Sequence, residues 1–257
     1  MFKAIRIAVL LLILFFVSLS TWLNKARSTD WNNSLWVKVY PINADGSDTS
    51  RDYIGSLELE DFASIESFIA REVEKHGRSV SRPVRMELGR EIREQPPSLG
   101  ENPGVLDIMW WSLKIRWWAG DVAGPQDSPD PDVRIFVRYH TPSENFVLEN
   151  SVGLQKGMVG VVNTHAGRRN AGLNNVVIAH EFLHTLGATD KYEPGTGQPE
   201  YPLGYAEPDL KPLHPQRKAE VMGGRIAMAS DNAVTPRSLK SVVIGATTAA
   251  EIGLAED

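Results

Sequence analysis

His180-Glu181-Phe182-Leu183-His184-Thr185-Leu186-Gly187-Ala188-Thr189-Asp190 is the stretch on which the reading of this chain turns. Around it, Val176, Val177, Ala179, Phe182, Leu183 and Leu186 recur at helical intervals, which predicts a helix from Asn174 to Leu186. Residues four apart share a helix face, so His180 and His184 can present two imidazole nitrogens to one ion. Glu181 is offset around the helix, where its carboxylate can reach a metal-held water without ligating the metal. Gly187 can adopt the left-handed conformation that stops the helix and turns the chain, bringing Asp190 back as a third ligand. Catalytic zinc ordinarily keeps three protein ligands and one open position, and it lowers the pKa of its water to about 7. The expected site is therefore one zinc ion on His180, His184 and Asp190, with Glu181 as general base in attack on a carbonyl. An ordinary amphipathic helix with two exposed histidines would leave Asp190 without a role.

Composition narrows the possibilities further. With 257 residues, 42% of them apolar, the chain can bury the core of a single catalytic domain. It has no cysteine, which excludes disulfides, thiolate zinc sites and cysteine nucleophiles, so any metal must sit on His, Asp or Glu. The net charge of −5 is uneven: Lys3, Arg6, Lys25 and Arg27 fall in the first 27 residues, leaving 23 basic against 32 acidic residues, or −9, in the rest. So acidic a body offers no basic patch for phosphates, and nucleic acid is excluded as a partner.

Ile7 to Leu23 is an uncharged, apolar run of 17 residues preceded by Lys3 and Arg6. It reads as an N-terminal membrane anchor within residues 1–27, with the body, residues 28–257, outside the cytoplasm. Ser18 and Ser20 also suit a cleaved signal peptide, in which case the body is secreted. Residues 24–33 read as a polar linker. Strands are expected at Ser34–Ile42, Pro83–Leu88, Asp132–His140 and Gly157–Asn163, with a weaker edge strand at Phe146–Val152. Further helices are expected at Leu59–Lys75 and Gly104–Trp118, and a last one from Thr235-Pro236 to about Gly253. Ala188 to Ala219 has no period and is expected to be irregular.

The string His180-Glu181-x-x-His184-x-x-Gly187-x-x-Asp190 resembles the metzincin zinc peptidases, in the variant of the snapalysin-like secreted proteases where Asp stands in place of a third His. The resemblance implies an α+β fold with a mixed twisted sheet, an active-site helix and an irregular C-terminal part with a methionine turn. Met222 fits that turn, and Met228 fits it less well. It also implies an endopeptidase acting on peptide or protein substrates, bound extended along the edge strand. In sequence it covers only 180–190 and the surroundings of Met222. The insert with Trp110, Trp111, Trp117 and Trp118 has no counterpart there; its spacing suggests a core-facing helix, with a membrane or substrate groove as the other use. Tyr192 and Tyr205 are candidates to stabilise an oxyanion. His76, His140 and His165 read as structural, and His214 is the substitute ligand should Asp190 not reach the metal. Asp45-Gly-Ser-Asp48 and Asp127-Ser-Pro-Asp130-Pro-Asp132 are explained by turn chemistry rather than calcium. Two other functions use the same site: a non-catalytic, zinc-stabilised protein-binding domain, and a hydrolase of non-peptide amides. Oligomeric state is not legible.

Overall fold

The computed structural model describes Arg6, Leu12 and residues 29–100, 104–124, 129–142, 151–155 and 157–255. Leu35, Val37 and Val39 alternate with Trp36, Lys38 and Tyr40 along β1 (Leu35–Asn43), so the strand buries side chains on both faces of a sheet. The chain continues through α1 (Asp48–Gly55), a 3₁₀ turn at Leu59–Phe62, α2 (Ala63–Lys75), β2 (Val84–Leu88), α3 (Val105–Ala123) and β3 (Val133–His140). Then come β4 (Val152–Leu154), β5 (Val159–His165) and α4 (Ala171–Leu186). The five strands form one mixed sheet in the order β2-β1-β3-β5-β4, parallel except for β4, which runs antiparallel to β5 at the edge. This is an α+β architecture.

Helices cover both faces. On one, Phe68, Ile69 and Val73 of α2 and Ile178, Phe182 and Leu186 of α4 join Val37, Val39, Ile135 and Val137 in the main core. On the other, Ile115, Trp118 and Val122 of α3 lie against Tyr40, Ile42, Phe136 and Val161. The Trp118 and Phe136 rings are 4.7 Å apart. No helix or strand occurs from 188 to 218, as expected. Beyond it, β6 (Ala219–Glu220) pairs with β9 (Val242–Val243), β7 (Ile226–Ala229) pairs with β8 (Asn232–Val234), and α5 (Ala246–Glu251) closes the fold.

Several expectations are corrected. The last helix does not start at Thr235-Pro236: β-branched Val242 and Val243 pair with β6, Ile244 N–H donates to Glu72 at 2.9 Å, and only Ala246–Glu251 is helical. α1 was not anticipated; it follows turn residues and starts where the Ser47 hydroxyl accepts from Ser50 N–H. The linker reading fails at Trp31, which is buried and donates its indole N–H to Ile252 O at 2.7 Å. The Trp-rich helix faces the core with only half its indoles: Trp118 is 8% exposed, Trp117 is 76% exposed and Trp110 is 61% exposed. Most of the expected edge strand, 143–150, lies outside the described residues, and the described strand begins at Val152. Apart from Leu12, the run Ile7–Leu23 also lies outside them, and among the described residues no helix is long and apolar enough to cross a membrane.

Candidate metal centre

α4 carries His180 and His184 near its C-terminal end, and the helix stops at Gly187, whose φ of 108° is left-handed. The turn returns the chain so that Asp190 Oδ1 stands 3.2 Å from Nε2 of His180 and 3.2 Å from Nε2 of His184. The two Nε2 atoms are 3.1 Å apart. On the far side of each ring, His180 Nδ1 lies 2.9 Å from Val221 O and His184 Nδ1 lies 2.8 Å from Ala188 O. A carbonyl only accepts, so each Nδ1 carries the proton and each Nε2 presents a lone pair. Three electron-rich atoms therefore face one another at hydrogen-bond distance, and a cation or proton must lie among them. Burial works against a charged His180, but the bond to Asp190 and the charge of Glu181 outweigh it and raise its pKa. Burial likewise opposes a charged Asp190, and the two imidazoles outweigh it, holding the carboxyl well below the usual range.

Glu181 belongs to the same cluster: His180, Glu181 and His184 each bring a ligand-type atom within 4.8 Å of the others, a grouping that could hold a metal ion. Its carboxylate is buried, and Oε2 has no hydrogen-bond partner among the described residues. Burial raises its pKa despite the two imidazoles beside it. A buried carboxylate oxygen left without such a partner is costly, and perturbed acids of this kind cluster at functional sites.

The surroundings hold the triangle rigidly. Glu220 is fully buried and accepts from the N–H groups of Met222 at 2.6 Å and Gly223 at 2.8 Å, and from the Thr248 hydroxyl at 2.8 Å. That turn aims Val221 O at His180 and buries Met222 completely, whereas Met228 is on the partly exposed β7. Asp190 is fixed through both neighbours. Glu251 accepts from Thr189 N–H at 3.0 Å and Thr189 Oγ1 at 2.6 Å, and pairs with Lys191 Nζ at 2.7 Å. Lys191 N–H donates to Met222 O at 2.9 Å.

The two tyrosine candidates separate. Tyr192 lies beside the cluster: burial and the charges of Asp190 and Glu181 raise its pKa, and its ring lies 6.4 Å from that of His180. Tyr205 is turned to His214, hydroxyl to Nε2 at 3.1 Å, and His214 is not part of the His180–Glu181–His184 group. His140 is buried against Asn163, and His76 lies against Ile244 O, both structural.

Sequence reasoning missed Gly153, in the edge strand. A Cβ there would lie 2.5 Å from Glu181 O and 2.5 Å from His184 Cβ, so glycine alone lets β4 lie against the site. Periodicity carries no sign of this, since the contact is between residues about thirty apart. Gly153→Ala should lower the melting temperature by roughly 4–8 °C, as overpacking costs about 2 kcal/mol. Calorimetry of the purified chain checks it, and an unchanged melting temperature would mean that β4 has room to spare.

No family matches this chain, and no curated protein matches it. Among solved structures, a chain described as part of a chaperone-substrate complex is 15% identical with a TM-score of 0.39, covering 86% of this chain and 34% of that one. Catalytically inactive OgpA from Akkermansia muciniphila, solved with an O-glycopeptide substrate (glycodrosocin), is 12% identical with a TM-score of 0.34, covering 86% of this chain and 59% of that one. This chain therefore spans only part of either structure's length, and neither likeness is close enough to define its fold.

Proposed function

We propose that the chain is a zinc-dependent endopeptidase of metzincin type, anchored to a membrane through residues 7–23 with its body outside the cytoplasm. The observation that carries this reading is the triangle of His180 Nε2, His184 Nε2 and Asp190 Oδ1, with sides of 3.1, 3.2 and 3.2 Å. Tetrahedral zinc with bonds of about 2.0–2.1 Å requires its ligand atoms to be about 3.3 Å apart, so the three residues fit the ion. A bound zinc ion would supply a Lewis acid for the carbonyl and a water acidified to a pKa near 7.

The other steps fall to the chain's own residues. Val221 O and Ala188 O hold both imidazoles in the ligating tautomer, and Glu251 steadies the loop on either side of Asp190 through Thr189 and Lys191. Glu181 takes the proton of the attacking water at Oε2, the oxygen without a partner among the described residues, and returns it to the leaving amine nitrogen. Among the described residues β4 pairs only with β5, and a peptide laid extended along its other edge passes beside Gly153 and hence beside Glu181. Support for the family reading comes from the antiparallel edge strand, the buried Met222 next to the Val221 carbonyl that holds His180, and the glycine stop before Asp190.

The purified chain is expected to bind one equivalent of zinc and to cleave casein. Stripping with 1,10-phenanthroline should reduce cleavage to background, and zinc should restore it. Metal content by mass spectrometry, read beside peptide release, checks both. One bound zinc without cleavage of any unfolded protein would instead favour a non-catalytic binding domain.

A further inference from the structure

Among the described residues, the outer face of α3 departs clearly from an ordinary water-facing surface. Its inner side is fully used: Ile115, Trp118 and Val122 pack on the sheet, and Trp111 donates its indole N–H to Pro97 O at 2.7 Å. The other side carries Leu106, Met109, Trp110, Leu113 and Trp117, all more than half exposed; each lies three or four residues from another of the set, so that they form one continuous stripe. Two exposed indoles alone offer roughly 150–250 Å² each, and soluble monomers rarely expose apolar patches beyond a few hundred Å².

We infer that this stripe docks in the interfacial zone of a lipid bilayer, with α3 lying along the surface. Three observations select lipid. Indoles are amphipathic and favour the headgroup level, and Lys114 Nζ lies 5.8 Å from the Trp110 ring, a cation beside the aromatic as such zones favour. Asp107, Lys114, Arg116 and Asp121 rule out spanning but are compatible with a helix lying flat. The bilayer is also close to the body: only residues 24–28 separate the anchor proposed above from Thr29, which therefore lies at most about 20 Å from the end of the apolar run.

Charge narrows the lipid. The acidic body gains nothing from anionic headgroups, so apolar insertion into zwitterionic phosphatidylcholine should suffice; the same charge opposes pairing of two copies. Because α3 and α4 cover opposite faces of the sheet, docking leaves the His180–Glu181–His184 cluster on the side turned from the membrane. The inference builds on the anchor reading and not on the peptidase reading.

The absence of native cysteine makes the test direct. Full-length chains carrying Leu106→Cys, Leu113→Cys or Trp117→Cys are labelled with a nitroxide and reconstituted in phosphatidylcholine vesicles. Glu74→Cys, exposed on α2, is the aqueous reference, and Leu12→Cys reads the anchor. At the three stripe positions, collisions with oxygen relative to a soluble nickel chelate should rise several-fold over the reference, at a depth of roughly 5–10 Å. Nickel collisions as frequent as at position 74 would overturn the docking. Shielding that appears instead with label-to-label dipolar coupling between chains, and vanishes on dilution, would assign the stripe to a second copy and also overturn it. If position 12 is buried in lipid while the stripe is wet, the anchor stands and the docking falls. If the stripe is buried and position 12 is not, the docking stands alone.

Discussion

Glu181→Gln should leave zinc binding intact and lower kcat/KM on an unfolded protein substrate by roughly 10²–10⁴-fold, the usual contribution of a positioned general base. Glutamine keeps the shape of the side chain and removes only the ability to accept and return a proton. Glu181 is not one of the three atoms of the triangle, so metal content should stay at one equivalent. Stability gives a second readout with a defined sign. Burial raises the folded pKa of Glu181, so keeping it ionised costs stability at a pH above its ordinary range. The metal-free Gln variant should therefore melt no lower than the wild type at neutral pH. Its advantage should grow as pH rises from the unfolded carboxylate range through the shifted pKa, and disappear at acid pH where both are neutral. A variant that keeps full activity would remove Glu181 from the mechanism. One that loses its metal would make it a ligand.

What the sequence disclosed, and what it hid, follows from the range of the forces involved. The helix bearing His180 and His184 was legible because its apolar period is local, and its end because Gly187 must be left-handed there. Asp190 was legible from spacing for the same reason. The three central parallel strands, rich in Val, Ile and Phe, announced themselves by composition and alternation. Thr235-Pro236 misled, because a start signal is weak beside the pairing of Val242 and Val243 with β6, a contact over more than twenty residues. α1 escaped because its buried side chains are only Ser50 and Ile54, too few to show a period. Gly153 against His184 and Glu251 against Lys191 exist only once the fold brings distant segments together, and no local pattern encodes them. The Trp helix was half legible: spacing identified a helix but could not say that two of four indoles would remain outside.

Asp190→Ala should weaken zinc binding by more than about 10²-fold while leaving the fold in place. Outer partners of metal ligands are themselves worth roughly 10–100-fold in affinity, and a ligand contributes more than its partners. Asp190 is the only member of the triangle outside α4, and at 45% side-chain exposure it forms the side open to solvent. Its removal would leave two imidazoles, too few to hold zinc tightly. The loop should keep its path without the carboxylate, because Thr189 and Lys191 are both tied to Glu251 and Lys191 N–H to Met222 O. Circular dichroism should accordingly report a folded protein, while zinc titration against a chelating dye reports the lost affinity and peptidase activity falls with occupancy. Added zinc at high concentration should restore little activity, since a two-imidazole site also lacks the anionic ligand. Zinc binding as tight as in the wild type would show that the third ligand comes from elsewhere, and the glycine-terminated turn would lose the purpose assigned to it.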